Sequence, residues 1–231
     1  MMSMLSQLTW LDGIALFFFV LCWHGYGFVT DRNEGLGGRG LIQKTHQYRV
    51  LWAKELIKRS NRVPDTALIG YLVRSVSFYA NTTIYIIAGV FALLGTMDRL
   101  INVTEGLPFS RDVSPGLLEI KVLLILTVFV IAYFKFTWSL RQFSLLSIMV
   151  GGAPEAGKDD EAMVQSYTEK LAKISTLAGD EFNRGLRAYY FGIASVTWTI
   201  HPGLLMTFSA IIVAVLAQRD FKSAAVRALS D

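Results

Sequence analysis

Phe182-Asn-Arg-Gly-Leu-Arg-Ala-Tyr-Tyr-Phe191, followed closely by Thr197-Trp-Thr-Ile-His-Pro202, joins a polar, doubly basic segment to an apolar one. Arg184 and Arg187 lie three apart and Asn183 and Arg187 four apart, so all three share helical faces. Tyr189 and Tyr190 come next, as aromatic residues do at a membrane interface. If the helix continues without a break, His201 and Pro202 sit roughly 17 Å deeper, at about 1.5 Å per residue. An imidazole at that depth has to face other helices or a wet cavity, because lipid tails cannot solvate it. The stretch therefore reads as the point where a cytoplasmic helix enters the bilayer.

The rest of the chain agrees. Of 231 residues, 53% are hydrophobic and only 17% charged, a balance outside the range of ordinary soluble domains. Three further apolar runs are long enough to span, which predicts an all-α polytopic membrane protein. The spans fall at about 8–29, 71–95, 117–140 and 189–217, within a single membrane domain, 1–231. Residues 1–7 carry no Lys or Arg and no small-residue cleavage site follows the first run, so it reads as an uncleaved helix.

Between the spans lie the segments 30–69 and 141–188. In the first, Gly35, Gly37 and Gly40 satisfy the letters of a dinucleotide loop, but a membrane helix and not a strand precedes them, so they read as a linker. Leu41, Tyr48, Trp52 and Leu56 then form the apolar stripe of an amphipathic helix, with Lys44, Lys54 and Lys58 off it and His46 on the solvated side. That stripe suits either anionic headgroups or the end of the bundle. Asp65 follows Pro64 as a candidate helix cap. In the second segment Met163, Tyr167, Leu171, Ile174, Ala178 and Phe182 form a longer stripe behind an acidic N-terminus. The architecture expected is four transmembrane helices plus two cytoplasmic amphipathic helices. The sequon Asn102-Val-Thr104 falls in the 97–116 connection and reads as chance.

Orientation follows from Lys plus Arg. The segments 30–69 and 141–188 hold 14, against 5 for the N-terminus, the 97–116 connection and the tail. That places both segments in the cytoplasm of an inner (plasma) membrane protein and both termini outside. Lys121 and Lys135, near the ends of the third span, are expected to snorkel.

No paired intramembrane carboxylates, HExxH or nucleophile–His–Asp arrangement appears, so the protein is expected not to be an enzyme. A single cysteine, Cys22, excludes a disulfide within the chain, and no His/Cys/Asp/Glu cluster has metal-ligand spacing. Two candidate sites remain. Arg74, Arg141, Arg184 and Arg187 converge on one membrane face and form a candidate anion or lipid-headgroup site, with Glu55, Asp180 and Glu181 as the competing internal partners. Asn81, Thr83 and His201 form a candidate intramembrane polar cluster. His24 and His201 are a conceivable haem pair, but their different depths argue against one iron between them, so no cofactor is expected.

Leu72-Val-Arg-Ser-Val-Ser-Phe78, Phe134-Lys-Phe-Thr-Trp-Ser-Leu-Arg-Gln142, Phe182 to Phe191 and Trp198-Thr-Ile-His-Pro202, in that order, resemble the signatures of the membrane family catalogued as domain of unknown function 599, found in bacteria with relatives in plants. The resemblance implies a multi-span membrane protein and no particular activity. His24 departs from it, standing where the pattern is apolar. The role expected is a scaffold or accessory subunit of a membrane assembly. The alternatives are a small transporter or anion/lipid-binding protein using the Arg set and His201, and a haem or quinone redox subunit. The partners expected are the lipid bilayer, anionic lipids, and a second copy or a larger membrane complex, with no nucleic acid.

Overall fold

The computed structural model describes residues 9–31, 40–96, 115–155 and 160–229. Most of the glycine linker, the sequon and the residues just before Asp160 lie outside these. The described chain forms α1 (Trp10–Thr30), α2 (Leu41–Lys58), α3 (Val63–Leu94), α4 (Pro115–Gly151), α5 (Glu161–Val196), a 3-10 turn (Thr197–Thr199), α6 (Pro202–Lys222) and α7 (Ala224–Ala228). Four stretches of helix among the described residues are long and apolar enough to cross a membrane: Trp10–Thr30, Val63–Leu94, Pro115–Gly151 and Pro202–Ala228. This is a helical membrane protein.

Local chemistry sets the helix ends. A capping box starts α1, where Thr9 Oγ1 accepts from the Asp12 amide and the Asp12 carboxylate accepts from the Thr9 amide. Asp160 caps α5 by accepting from the Met163 amide at 3.2 Å. Pro64 lies in the first turn of α3, where a missing N–H costs nothing. Asp65 is not the cap there. It is buried within the first turn, accepting from Trp52 Nε1 at 2.9 Å and Arg59 Nη1 at 2.7 Å, and so pins α2 to α3.

An antiparallel hairpin of α4 and α5 is the centre of the bundle, and α3 packs along α4, with Tyr79 also against Phe182 and Tyr189 of α5. The hairpin closes tightly because α5 is glycine where the two helices meet. A Cβ on Gly185 would stand 2.5 Å from the Phe136 ring, and one on Gly192 2.8 Å from Phe129. Across the interface Ser139 donates to the Ala178 carbonyl and Tyr167 to the Met149 carbonyl, which sets the register. Of the expected apolar stripe of α5, Leu171 and Ala178 are fully buried, Tyr167, Ile174 and Phe182 half-buried, and Met163 exposed.

The largest departure from the sequence reading is at His201. The helix does not continue from 189 to 217. His201 is extended (φ −154°, ψ 138°), its Nδ1 accepts from the Gly203 amide at 2.9 Å, and Pro202 opens a new helix. Proline cannot donate the hydrogen bond of a continuing turn and its ring meets the carbonyl four residues back, so the chain reverses here. Its neighbours show where the reversal lies. Arg187 meets Asp31 at the C-terminal end of α1, whereas Trp198 meets Asp12 at the N-terminal end. Between these two residues α5 and the 3-10 turn run the length of α1. From there α6 returns parallel to α1, with Tyr26 donating to Asp220 at the far end.

A correction to the termini follows. Lys44 Nζ donates to the Leu229 carbonyl at 3.2 Å, so the tail lies at the same end as α2, opposite Asp12. The ends of the described chain, Thr9 and Leu229, therefore lie at opposite ends of the bundle, where the expectation had both termini on one side. The tail, with its three basic residues Arg219, Lys222 and Arg227, thus shares this end with α2. We call the end carrying α2 and the α4–α5 turn the basic end.

Helix α2 docks along the first half of α5, burying Ala53, Leu56 and Ile57. Tyr48 of the expected stripe is 52% exposed, and His46, expected in solvent, shares a 2.6 Å hydrogen bond with Thr176 Oγ1. The docked face is turned slightly from the one the stripe marks, because α5 is met on one flank.

Candidate functional site

Charged residues gather where α1 ends beside the middle of α5. Glu181, Arg184 and Arg187 are three apart along α5 and face the α1 terminus, where the helix dipole favours cations. Arg187, 7% exposed, donates to Thr30 Oγ1 at 2.7 Å and to both Asp31 oxygens at 2.7 and 3.0 Å. Arg184 reaches Asp31 Oδ2 at 3.0 Å through Nε and Glu181 through Nη1. Lys135 of α4 stands 3.0 Å from Glu181 Oε2, an ion pair without hydrogen-bond alignment. Both Arg187 contacts to Asp31 come from Nη2, and such charge-assisted bonds are stronger than neutral ones.

Two cavities flank this cluster, and Arg187 lines both. One, of about 520 Å³, lies between α1 and α4 and is lined by Trp23, His24, Gly27, Phe28 and Ile131 beside the charged groups. The other, of about 400 Å³, lies under α2 and includes Arg49, Tyr190, Arg219 and Asp220. Arg49 spends its guanidinium on the carbonyls of Ser175 and Thr176, at 2.6 and 3.1 Å, and burial pushes its pKa down against the opposing field of Asp180.

Of the four arginines expected together, the structure unites Arg184 and Arg187 only. Arg74 is exposed with its guanidinium 4.6 Å from the Tyr71 ring centre, and Arg141 is exposed on α4. Both point away because Val76 and Ala80 of α3, and Ser139 and Phe143 of α4, take the buried faces. Asp31, the carboxylate that organises the pair, is not among the partners expected from sequence. Its signal was available: it is the C-cap of α1, where an acidic residue needs a cation to offset the dipole.

Asn81, Thr83 and His201 are not brought together. Asn81 is exposed, Thr83 donates to the Tyr79 carbonyl at 2.6 Å and lies 3.3 Å from the Tyr189 hydroxyl, and His201 caps α6. His24 opens on the cavity at the basic end, while His201 sits in the turn beside the opposite end, so the two do not share a site.

At that opposite end the sequence reading missed a second buried group. Lys121 does not snorkel. It is 2% exposed, lies 3.9 Å from Asp12 Oδ1 and 5.8 Å from the Trp198 ring centre, while Trp198 Nε1 donates to the same carboxylate oxygen at 2.9 Å. Between the two charged ends the bundle is filled by Phe19, Phe191, Val128 and Ala132. Outside the membrane layer a third feature stands out, a groove of about 1030 Å³ between α2 and the first half of α5. Val50, Leu51, Ile57, Val164 and Leu177 give it an apolar surface.

The class is thus a helical integral membrane protein with a buried ion cluster at each end and a helical platform beyond one of them. The chain belongs to the DUF599 family of proteins of unknown function, whose profile matches residues 14–225. Neither a curated protein nor a solved structure matches it.

Proposed function

We propose that this protein is a non-enzymatic scaffold or accessory subunit of a membrane assembly, lying in the inner (plasma) membrane with its basic end in the cytoplasm. The observation that carries the reading is the length of the central hairpin. At about 1.5 Å per residue, helices of 37 and 36 residues extend about 55 Å, against a hydrocarbon core of about 30 Å. The surplus, roughly 25 Å, holds a platform of α2 and the ends of α4 and α5 away from the bilayer on unbroken helices. Positive charge at that end supports the orientation.

The platform groove is bounded by two helices with apolar side chains between them, the shape that a third, amphipathic helix from a partner subunit fills. Lys54 and Lys58 outnumber Glu55 on the α2 flank, and Glu161 and Glu169 outnumber Lys173 on the α5 flank, which favours a helix with acidic residues along one edge and basic residues along the other. A photo-crosslinking residue at Leu177, in a copy expressed at native level, should give one discrete adduct with a membrane protein. Leu51→Asp should lower its yield several-fold without changing the amount of folded chain. Adducts of the same yield in Leu51→Asp, or none at position 177 or 51, would remove the groove from the reading. Mild-detergent extracts holding only the chain and lipid would remove the subunit role.

A further inference from the structure

The cavity between α1 and α4 has the features of a phosphate site that opens sideways into lipid. Helices α1 and α4 both pack on α5 but hardly touch one another, which leaves a slot floored by α5. Its sides are apolar and face outward, with Phe28 63% and Ile131 37% exposed, while its back wall is Lys135, Arg184 and Arg187. Among the described residues these three cations face two carboxylates, Asp31 and Glu181, so one positive charge is left over. Adding Arg49 and Asp180, which act on one another across α5, keeps the excess at one. Lys135 and Arg184 keep 38% of their side chains accessible, so both have donors to offer an entering ligand.

Depth fixes the kind of ligand. The slot is level with the last turn of α1, where the apolar span gives way to Thr30 and Asp31, so its cations lie at the level of lipid phosphates in the leaflet at the basic end. A fully aqueous anion would have to pass the aromatic and aliphatic sides, whereas a lipid enters laterally with its chains along Phe28 and Ile131. We infer that this slot holds the phosphate of one anionic phospholipid between Lys135 and Arg184, with Arg187 and Asp31 as the fixed frame behind it. Arg187 is the frame because its donors are already committed to Thr30 and Asp31.

The test uses the full chain in detergent, titrated with phosphatidylglycerol or phosphatidylcholine of identical acyl chains and read by native mass spectrometry. The parent should take one phosphatidylglycerol at least about tenfold more tightly than phosphatidylcholine, the order of preference one charge-assisted contact gives. Lys135→Gln with Arg184→Gln should bring the two lipids within about twofold, and Arg74→Gln, an exposed arginine outside the slot, should leave the preference intact. Because loss of Arg184 could unsettle Asp31, His24→Glu provides an independent arm: it adds a carboxylate at the exposed mouth and should also abolish the preference. Millimolar inorganic phosphate should not displace the lipid. Equal binding of the two lipids by the parent, an unchanged preference in both slot variants, or displacement by free phosphate would each overturn the assignment, the last in favour of a soluble anion.

Discussion

Asp12 and Lys121 show what a buried charge does in this bundle. Both are about 2% exposed and more than one hundred residues apart, and Trp198 ties the carboxylate to the turn before α6. Asp12→Asn keeps an acceptor for Trp198 but removes the carboxylate charge that stands 3.9 Å from the ammonium. Removing one member of a buried pair typically costs about 3–5 kcal/mol, whereas replacing both is often near neutral. Unfolding in mixed micelles should therefore show a large loss for Asp12→Asn and recovery of most of it in Asp12→Asn with Lys121→Met. An additive double variant would mean the two do not act as a pair. Glycines divide as sharply. Gly192→Ala would press a methyl into Phe129, itself 5% exposed, and should cost about 1–3 kcal/mol by overpacking. Gly89 has nothing within 4 Å of an added Cβ, so Gly89→Ala should be neutral or stabilise by up to about 1 kcal/mol. If both substitutions moved the midpoint in the same direction, the close approach of α5 to α4 would be in doubt.

Helix α5 belongs to two environments. Its first half carries Leu171 against the platform, and its second half is sheltered by α1, α4 and α6. Leu171→Asp should cost several kcal/mol, on the order of a charge buried without a partner, while Lys173→Asp on the exposed side should be nearly silent. Thermal unfolding of the two variants in the same detergent checks this, and equal midpoints would show that the stripe is not docked. The reversal at His201 makes a topological statement as well. Reporters in the 152–160 turn and after residue 229 should read the same side of the membrane, and one in the 97–114 connection the other. A tail reporter that agreed with the 97–114 reporter would contradict the return of α6.

The hairpin also couples the platform to the membrane layer. Because α4 and α5 run through both without a break, a defect in one should be felt in the other. Hydrogen exchange of Leu171→Asp should lose protection not only at 139–151 of α4 but also at 125–136, beside Gly185 and Gly192. Protection lost at 139–151 alone would describe a platform that opens independently, a poor lever for a scaffold. The buried clusters at the two ends support the coupled behaviour, since Asp31–Arg187 and Asp12–Trp198 hold α5 to α1 at both limits of its passage.

Much of this architecture was legible in order along the chain. Apolar length and the middle of the α5 stripe, Leu171 and Ala178, are properties of local composition, and both reappear in the fold. The helical pairing of Arg184 with Arg187 was legible too, because spacing alone sets it. Asp31 was not, since it meets Arg184 across 153 positions of sequence and reads locally as the start of a linker. The passage of α5 through the bundle was hidden for a related reason. A helix enclosed by its neighbours need not be apolar along its length, so Asn183, Arg184 and Arg187 masked where the span begins, and the apolar run after them seemed continuous across His201. Lys121 shows the same limit: near a span end, composition favours snorkelling, whereas in the fold it lies inward beside Asp12 and Trp198. Contacts between distant segments, with the burial they impose, decided the course of α5 through the bundle, the end at which Leu229 lies, and which charges are paired.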